Sequence, residues 1–241
     1  MENKYFIQKL NSAFQQNNLA DLIDEDKGEK LFKLYQILVE TNKSFNLTAI
    51  TDENDVILKH FVDCACVTRH IPQGSSIIDV GCGAGFPSLP IAILREDVHI
   101  TSLDSTAKKI GFIKSTAETI DIKNISPIAA RAEEFACKAR ESFDVAVSRA
   151  GARLNILDEL CIPFVKKGGL FIAMKAPRGE EEFSEAKSGI FKLGCQLKSK
   201  ETLELRFEDL EISREIYVFS KTSATPNQYP RNFSQISKKP L

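Results

Sequence analysis

The sequence predicts an α/β protein in which a parallel β-sheet carries helices on both faces and is preceded by a helical segment. Two observations support this fold class. From residue 75 onward, short apolar runs of strand length alternate with longer stretches of helical character, which is typical of a parallel sheet with helical crossovers. The first apolar run, Ser76–Val80, also leads directly into a glycine-rich turn and then into a predicted helix, Ser88–Leu94.

The predicted elements follow in a regular order. Strands are expected near residues 76–80, 98–104, 124–129, 143–148 and 169–174, and helices near 88–95, 106–120, 131–138, 153–162 and 179–191. Two later strands, near 196–205 and 212–219, are separated only by a charged turn. Because a parallel return needs a crossover of about a dozen residues or more, these two strands should form an antiparallel hairpin.

The chain divides into three predicted parts. Residues 1–70 should form an N-terminal helical cap, residues 71–220 a Rossmann-like domain, and residues 221–241 a basic C-terminal tail. In the cap, apolar residues recur at helical spacing, and a further helix should carry His60, Phe61 and Asp63. The recurring apolar residues are Leu31, Leu34, Tyr35, Leu38 and Val39.

The glycine-rich turn indicates a nucleoside site. Gly81, Gly83 and Gly85 allow positive φ angles and close approach of the backbone to a ligand, beside the positive end of a helix. Asp104 ends the next apolar run at about 20 residues beyond the turn, where nucleotide-binding units place the acid that binds the ribose.

The glycine spacing indicates which nucleoside is bound. Dinucleotide folds favour G-x-G-x-x-G, whereas this chain has G-x-G-x-G with Asp79 two residues before it, a pattern that fits S-adenosylmethionine better. Three alternatives remain open: a purely structural turn, an NAD-dependent oxidoreductase, and a non-enzymatic RNA-binding module with a vestigial pocket. The oxidoreductase would need a later third glycine and a further catalytic domain.

Composition restricts the function further. The 43% hydrophobic content supports a proper core, and no apolar run approaches the roughly 20 residues of a membrane span. The N-terminus lacks the apolar core of a signal peptide, so we expect a cytoplasmic protein without a membrane. The six cysteines form no C-x-x-C pair and no cluster with the three histidines, so no metal is expected.

The charge distribution bears on RNA binding. The net charge of −1 excludes coating of nucleic acid through bulk charge. The tail, however, carries four cations and no acid, interleaved with Tyr229 and Phe233. It is either a solvated, disordered end or an RNA contact. The four cations are Lys221, Arg231, Lys238 and Lys239.

A series of residue blocks occurs in a characteristic order between about residues 40 and 231. They are Asn46-Leu47-Thr48, His60-Phe61-Val62-Asp63, Asp79-Val80-Gly81-Cys82-Gly83-Ala84-Gly85-Phe86-Pro87, Leu103-Asp104-Ser105, Arg131-Ala132-Glu133-Glu134, Ser148-Arg149-Ala150, Met174-Lys175 and Tyr229-Pro230-Arg231. In this combination the chain resembles the RsmG (GidB) family, the guanine-N7 methyltransferases of 16S ribosomal RNA. It departs from the family pattern at Cys64, at Ala176 and in a tail without glycine.

The resemblance implies a class I S-adenosylmethionine-dependent methyltransferase fold, with a seven-stranded sheet whose last strand is antiparallel. It implies cofactor contacts at Gly81, Phe86, Ala132, Glu133 and Arg149, to which the turn itself adds Gly83, Gly85 and Asp104. It also implies 16S ribosomal RNA or the small ribosomal subunit as partner, and we expect a monomer.

Methylation at guanine N7 uses a free lone pair and requires no general base, so no catalytic residue is assigned. Arg149 and Lys175 are candidates. Phe45 or Phe61 is a candidate for stacking on the target base. The expected RNA contacts, through phosphates, are Arg131, Lys175, Arg178, Arg231, Lys238 and Lys239. Removal of residues 222–241 should therefore weaken RNA binding and leave cofactor affinity unchanged.

Overall fold

The predicted strands pair into one seven-stranded sheet. A computed structural model describes residues 2–149, 151–177 and 179–241 of the chain. The strand order is β3-β2-β1-β4-β5-β7-β6, with β1 to β5 parallel and β7 antiparallel to both of its neighbours. The strands are β1 Ser76–Val80, β2 His99–Asp104, β3 Ile125–Ala129, β4 Phe143–Ser148, β5 Val165–Lys175, β6 Cys195–Phe207 and β7 Leu210–Lys221. The predicted fold class and the antiparallel hairpin are confirmed.

Ten α-helices are found in the described residues. They are α1 Glu2–Gln16, α2 Glu25–Asn42, α3 Glu53–Val56, α4 Asp63–Cys66, α5 Ser88–Leu94, α6 Ala107–Thr119, α7 Ala132–Phe135, α8 Leu154–Cys161, α9 Gly179–Lys192 and α10 Phe233–Lys238. Short 3-10 turns cover Ala20–Leu22, Val67–His70 and Ile162–Phe164. No helix in the described part of the chain is long and apolar enough to cross a membrane.

The two faces of the sheet bury two separate hydrophobic clusters, because successive strand residues point to opposite faces. Ile77 belongs to the cluster that also holds the apolar residues of α1, α2, α5 and α6. Ile78, its neighbour on β1, belongs to the cluster covered by α8, α9 and the C-terminal segment. The N-terminal helices therefore share a core with the sheet, and the three-part division of the chain stays a prediction.

The chain from residue 53 to 70 is helical throughout but irregular. A π-helical turn, Ile57–Val62, lies between α3 and α4, and Asp52 accepts hydrogen bonds from the first backbone N–H groups of α3. Such wide turns inside helices are frequent at functional sites. Here the turn contains Lys59 and His60, and Asp63 follows it directly.

The C-terminal segment is folded onto the domain. Lys221, which we counted in the tail, is the last residue of β7 and is buried. Beyond it, Tyr229 is 5% exposed, and Ile236 on α10 is fully buried in the second cluster. The segment is thus an ordered part of the protein and not a solvated, disordered end.

Candidate active site

The glycine turn follows β1 at the carboxyl edge of the parallel strands. Gly81, Gly83 and Gly85 have φ angles of 76°, 57° and 87°, which side chains rarely adopt. A Cβ atom on Gly85 would lie 2.6 Å from Cδ1 of Leu89, whereas one on Gly83 would meet nothing within 4 Å. Gly85 therefore packs against the core, and Gly83 borders open space.

Asp104, at the end of β2, holds the turn in place. Its Oδ2 accepts a hydrogen bond from the backbone N–H of Gly83 at 3.0 Å, and its Oδ1 accepts one from Thr106 at 2.8 Å. The N–H of Gly81 donates to the carbonyl of Leu103 at 2.8 Å. The predicted acid is thus in direct contact with Gly83 of the predicted turn.

A cavity of about 120 Å³ lies beside this contact, and we call it the first cavity. Val80, Leu103 and Leu160 give it apolar walls, and Asp104 and Glu133 give it carboxylates. An apolar slot suits a purine ring, and a carboxylate at its edge suits the two ribose hydroxyls. The predicted cofactor residues Gly81, Asp104, Ala132 and Glu133 all line it, so the residues present fit the adenosine half of S-adenosylmethionine.

The same cavity contains two residues that we had not assigned to it. Arg131, predicted as an RNA contact, forms a wall, and its Nε lies 3.2 Å from Oε1 of Glu133. The guanidinium carbon of Arg131 is 4.5 Å from the ring centre of Phe233, which lines the cavity from the C-terminal segment. The sequence alone marks Phe233 only as an aromatic residue among the cations of the tail.

Asp79 stands below the glycine turn and is fully buried. It accepts hydrogen bonds from the backbone N–H of Ser88, at 3.1 Å, and from the Ser88 hydroxyl. Its Oδ1 has no hydrogen-bond partner in the described part of the chain. Burial raises the pKa of this carboxyl to about 7, more than the two hydrogen bonds lower it.

Arg149, at the end of β4, is held by the helical segment 53–70. Its Nη1 donates to the carbonyl of Lys59 at 2.9 Å and to Oδ2 of Asp63 at 3.1 Å. Its Nη2 lies 3.0 Å from Nδ1 of His60, whose ring stacks on Phe86 with centres 4.2 Å apart. The π-helical turn thus brings a carbonyl, an imidazole and a carboxylate to one guanidinium.

His60 is a neutral partner in this arrangement. Burial, together with the nearby positive charge of Arg149, lowers its pKa to about 3. The neutral ring therefore accepts from Arg149 at Nδ1 and donates from Nε2 to the Thr48 hydroxyl, 3.3 Å away. His60 positions Arg149 and supports the ring of Phe86.

A second cavity, of about 430 Å³, opens between the 53–70 segment and the ends of β4, β5 and β7. Nζ of Lys175 donates to the carbonyl of Ala152 at 2.8 Å and lies 2.8 Å from Oε2 of Glu182. Nε of Arg214 lies 3.2 Å from Oδ1 of Asp63, so this buried carboxylate bridges two arginines. Charged groups dominate the walls: Lys59, Asp63, Arg149, Lys175, Glu182 and Arg214.

The remaining predicted contacts have varied surroundings. Arg231 pairs with Glu159, whereas Lys238 and Lys239 are exposed. Phe61 is fully buried, which excludes it as a stacking platform. Arg178 and Ala150 lie outside the described residues. Within the described residues no group of three or more histidine, cysteine, aspartate or glutamate side chains is arranged to hold a metal ion.

Comparison with solved structures shows the fold. The fold matches that of M. jannaschii TYW2, solved in complex with AdoMet, with a TM-score of 0.52 at 12% identity over 66% of this chain and 75% of that chain. It also matches a precorrin-6y C5,15-methyltransferase from Geobacter metallireducens, with a TM-score of 0.51 at 14% identity over 74% of this chain and 91% of that one. The sheet order and the glycine turn are those of the class I methyltransferase fold.

The family follows from sequence comparison. The family described as GidB, rRNA small subunit methyltransferase G, matches residues 27–210. A Clostridium perfringens protein named Ribosomal RNA small subunit methyltransferase G is 42% identical over 222 residues, 90% of this chain and 92% of the relative. A Clostridium botulinum protein of the same name is 40% identical over 240 residues, 98% of this chain and 99% of the relative. The chain belongs to this family, as the residue blocks predicted.

Proposed function

We propose that this protein transfers the methyl group of S-adenosylmethionine to N7 of a guanine in 16S ribosomal RNA. Family membership supports the substrate class. The observation that carries the proposal is the pair of cavities at one sheet edge, with Gly81 in the wall of the first and Arg149 in the wall of the second. A cofactor whose adenosine occupies the first cavity directs its methionine half towards Arg149.

The cofactor residues are assigned accordingly. Asp104 holds the ribose, Ala132 and Glu133 face the adenine, and the backbone of Gly81, Gly83 and Gly85 allows close approach. Phe86 packs beside the methionine half, where His60 fixes its ring. The guanidinium of Arg149 offers a planar set of donors suited to the methionine carboxylate.

The second cavity receives the target guanine. Bound S-adenosylmethionine supplies a methyl group on a positively charged sulfur. Guanine N7 has a lone pair for this carbon, so the S–C bond can break as the N–C bond forms, the positive charge passes to the purine, and no proton has to leave the base. The protein has to orient the ring and exclude water. His60 cannot act as the base here, because its ring nitrogens contact Arg149 and Thr48 and its pKa is about 3.

The predicted RNA contacts differ in whether a carboxylate already pairs with them. Arg178, Lys238 and Lys239 remain assigned to phosphates, whereas Arg131, Lys175 and Arg231 have carboxylate partners. Replacing Lys238 and Lys239 together with Ala should reduce the slope of log K against log salt by about 1.4 for single-stranded RNA, since each phosphate contact contributes about 0.7. Filter binding over a salt series measures this slope. An unchanged slope would show that neither lysine contacts the RNA.

The protein acts as a cytoplasmic monomer, without a metal, on 16S ribosomal RNA or the small subunit. The decisive experiment is nucleoside mass spectrometry of small-subunit RNA from strains with and without the gene. One N7-methylguanine should be lost and should return when purified protein and S-adenosylmethionine are added to the isolated subunit or naked RNA. Unchanged N7-methylguanine at every small-subunit position would refute the proposal. Loss of a different methylated base would mean that the protein methylates another position of the RNA.

A further inference from the structure

The C-terminal segment contributes a side chain to the first cavity. Phe233, the first residue of α10, lines the cavity together with Gly81, Asp104 and Ala132. It is 38% exposed, although large apolar side chains are usually buried. A partly exposed aromatic ring in the wall of this cavity is placed to contact a purine.

A buried ion pair fixes the chain two residues before Phe233. Arg231 makes a bidentate contact with Glu159, with Nη2 2.6 Å from Oε2 and Nε 2.9 Å from Oε1. The backbone N–H of Arg231 also donates to Oε1 of Glu159 at 2.7 Å. Because the side chain of Glu159 is fully buried, this pair is strongly oriented. Arg231 therefore positions the tail.

Further contacts hold the segment on both sides of the aromatic ring. The guanidinium of Arg140 donates to the backbone carbonyls of Thr225, Pro226 and Tyr229. After the ring, Ile236 is fully buried against the second hydrophobic cluster. The chain carrying Phe233 is thus anchored before and after this residue.

The ring is also held from within the cavity. Arg131 lies 4.5 Å from the Phe233 ring centre, within the range of a cation–π contact, and Glu133 holds the Arg131 side chain. Arg131 and Glu133 belong to the segment after β3 that we assigned to the adenine. Phe233 therefore joins a wall that already faces the base.

We propose that Phe233 is a cofactor-binding residue, which contacts the adenine ring of S-adenosylmethionine and closes the outer side of the first cavity. The inference rests on the proposed placement of the adenosine half in that cavity. It reverses the expectation that loss of residues 222–241 would spare cofactor affinity. The C-terminal segment then serves the cofactor through Phe233, and the RNA through Lys238 and Lys239.

Calorimetric titration of the full chain tests this assignment. Phe233→Ala should weaken S-adenosylmethionine binding about five- to thirtyfold, the lower part of the range for a base on an aromatic ring. Binding of methylthioadenosine, which has the adenine and ribose without the methionine carboxylate, should fall by the same factor. Phe233→Tyr, which keeps the ring, should bind both ligands as the natural protein does.

A matched control is Phe191→Ala, which removes a ring that is 78% exposed on α9 and lines neither cavity. It should leave both affinities unchanged. Melting curves without ligand check that Phe233→Ala is folded.

Three outcomes distinguish a wrong assignment of Phe233 from a wrong placement of the cofactor. If Asp104→Ala loses binding and Phe233→Ala does not, the inference is overturned and the cofactor placement stands. If neither variant changes affinity, the placement itself is wrong. A loss of S-adenosylmethionine binding without a loss of methylthioadenosine binding would put Phe233 away from the adenine and overturn the inference as well.

Discussion

The first and second cavities lie at the same edge of the sheet and are built in different ways. Apart from Leu160 and Phe233, the first cavity comes from one stretch of chain, residues 80–133, whose strand ends follow each other in sequence. The second combines residues from the 53–70 segment, the ends of β4 and β5, α9 and β7. Four large apolar side chains line the first cavity, whereas ion pairs connect the walls of the second.

The difference shows how the two sites are stabilised. A cavity made of consecutive strand ends is placed by the sheet itself, because parallel strands present their carboxyl ends at one edge. The second cavity depends on Asp63, whose carboxylate pairs with both Arg149 and Arg214. This carboxylate therefore links the N-terminal helices to β4 and β7. We therefore expect damage in the first cavity to affect binding, and damage in the second to affect folding as well.

The largest effect should follow Asp63→Asn. Removing this buried charge leaves two guanidinium groups without their shared carboxylate, which costs about 3–5 kcal/mol. Urea unfolding should show this loss, and methyl transfer should fall with it. Glu211→Gln breaks the exposed pair with Arg206 and should cost less than about 1 kcal/mol. Equal losses in the two variants would show that the bridge does not hold the second cavity together.

Gly83→Val tests the glycine turn beside the first cavity without disturbing the core. At φ 57° the side chain adds about 1–2 kcal/mol of backbone strain, and it projects into the open space beside the turn. The variant should stay folded and lose S-adenosylmethionine binding in calorimetry. Gly168→Val is the control, since Gly168 has φ 88° and equally open surroundings within β5. Retained binding in folded Gly83→Val would remove the turn from the cofactor site.

Asp104→Ala should have a smaller effect on the same site. A hydrogen bond to a charged group contributes about 1.5–3 kcal/mol, equivalent to a ten- to hundredfold change in Kd. Asp104→Asn keeps one acceptor oxygen for the N–H of Gly83 and should lose less affinity than Asp104→Ala. Equal affinities in Asp104→Ala and the natural protein would mean that this carboxylate serves only the turn.

The last prediction concerns the pH dependence of stability. Asp79 has a pKa of about 7 in the folded protein, above its ordinary value near 4 in the unfolded chain. The folded state therefore binds more protons between about pH 4 and 7, and the free energy of unfolding falls as pH rises through this window. Asp79→Asn removes this titration, so its melting temperature should rise relative to the natural protein from pH 5 to pH 8.

Asp144→Asn provides the opposite case. Hydrogen bonds from Ser76 and Lys166 lower the pKa of Asp144 to about 2, so this carboxylate is ionised throughout the range from pH 5 to pH 8. The difference in melting temperature between Asp144→Asn and the natural protein should stay constant over that range. If Asp79→Asn gave an equally constant difference, the carboxyl under the glycine turn would be ionised at pH 5.

The fold and the first cavity were largely predictable because their signals are local. The alternation of apolar runs, the three glycines and Asp104 indicate a strand, a turn, a helix and a second strand, whose right-handed parallel pairing leaves few arrangements. The contact of Asp104 with Gly83 follows from that pairing. The hairpin of β6 and β7 was equally predictable, because a short turn permits only an antiparallel return.

The second cavity and the closure of the first were not predictable in this way. Arg214 is an ordinary strand residue in sequence, and its ion pair with Asp63 depends on β7 lying beside β5 and beneath the N-terminal helices. Arg231 looked like a cation of a basic tail until the fold placed Glu159 against it. The sequence does not show which charged residues pair with each other, because these ion pairs depend on packing between segments far apart in the chain.

The sequence by itself thus determined the sheet, the glycine turn, the acid beside it and the family, because each depends on residues close together in the chain or on their order. Only the tertiary structure decided that His60 is a neutral support for Arg149, that Asp63 bridges two arginines, and that Phe233 faces the first cavity. These three depend on burial and on contacts across 85 or more residues of chain, and such contacts form only when helices and tail dock on the sheet.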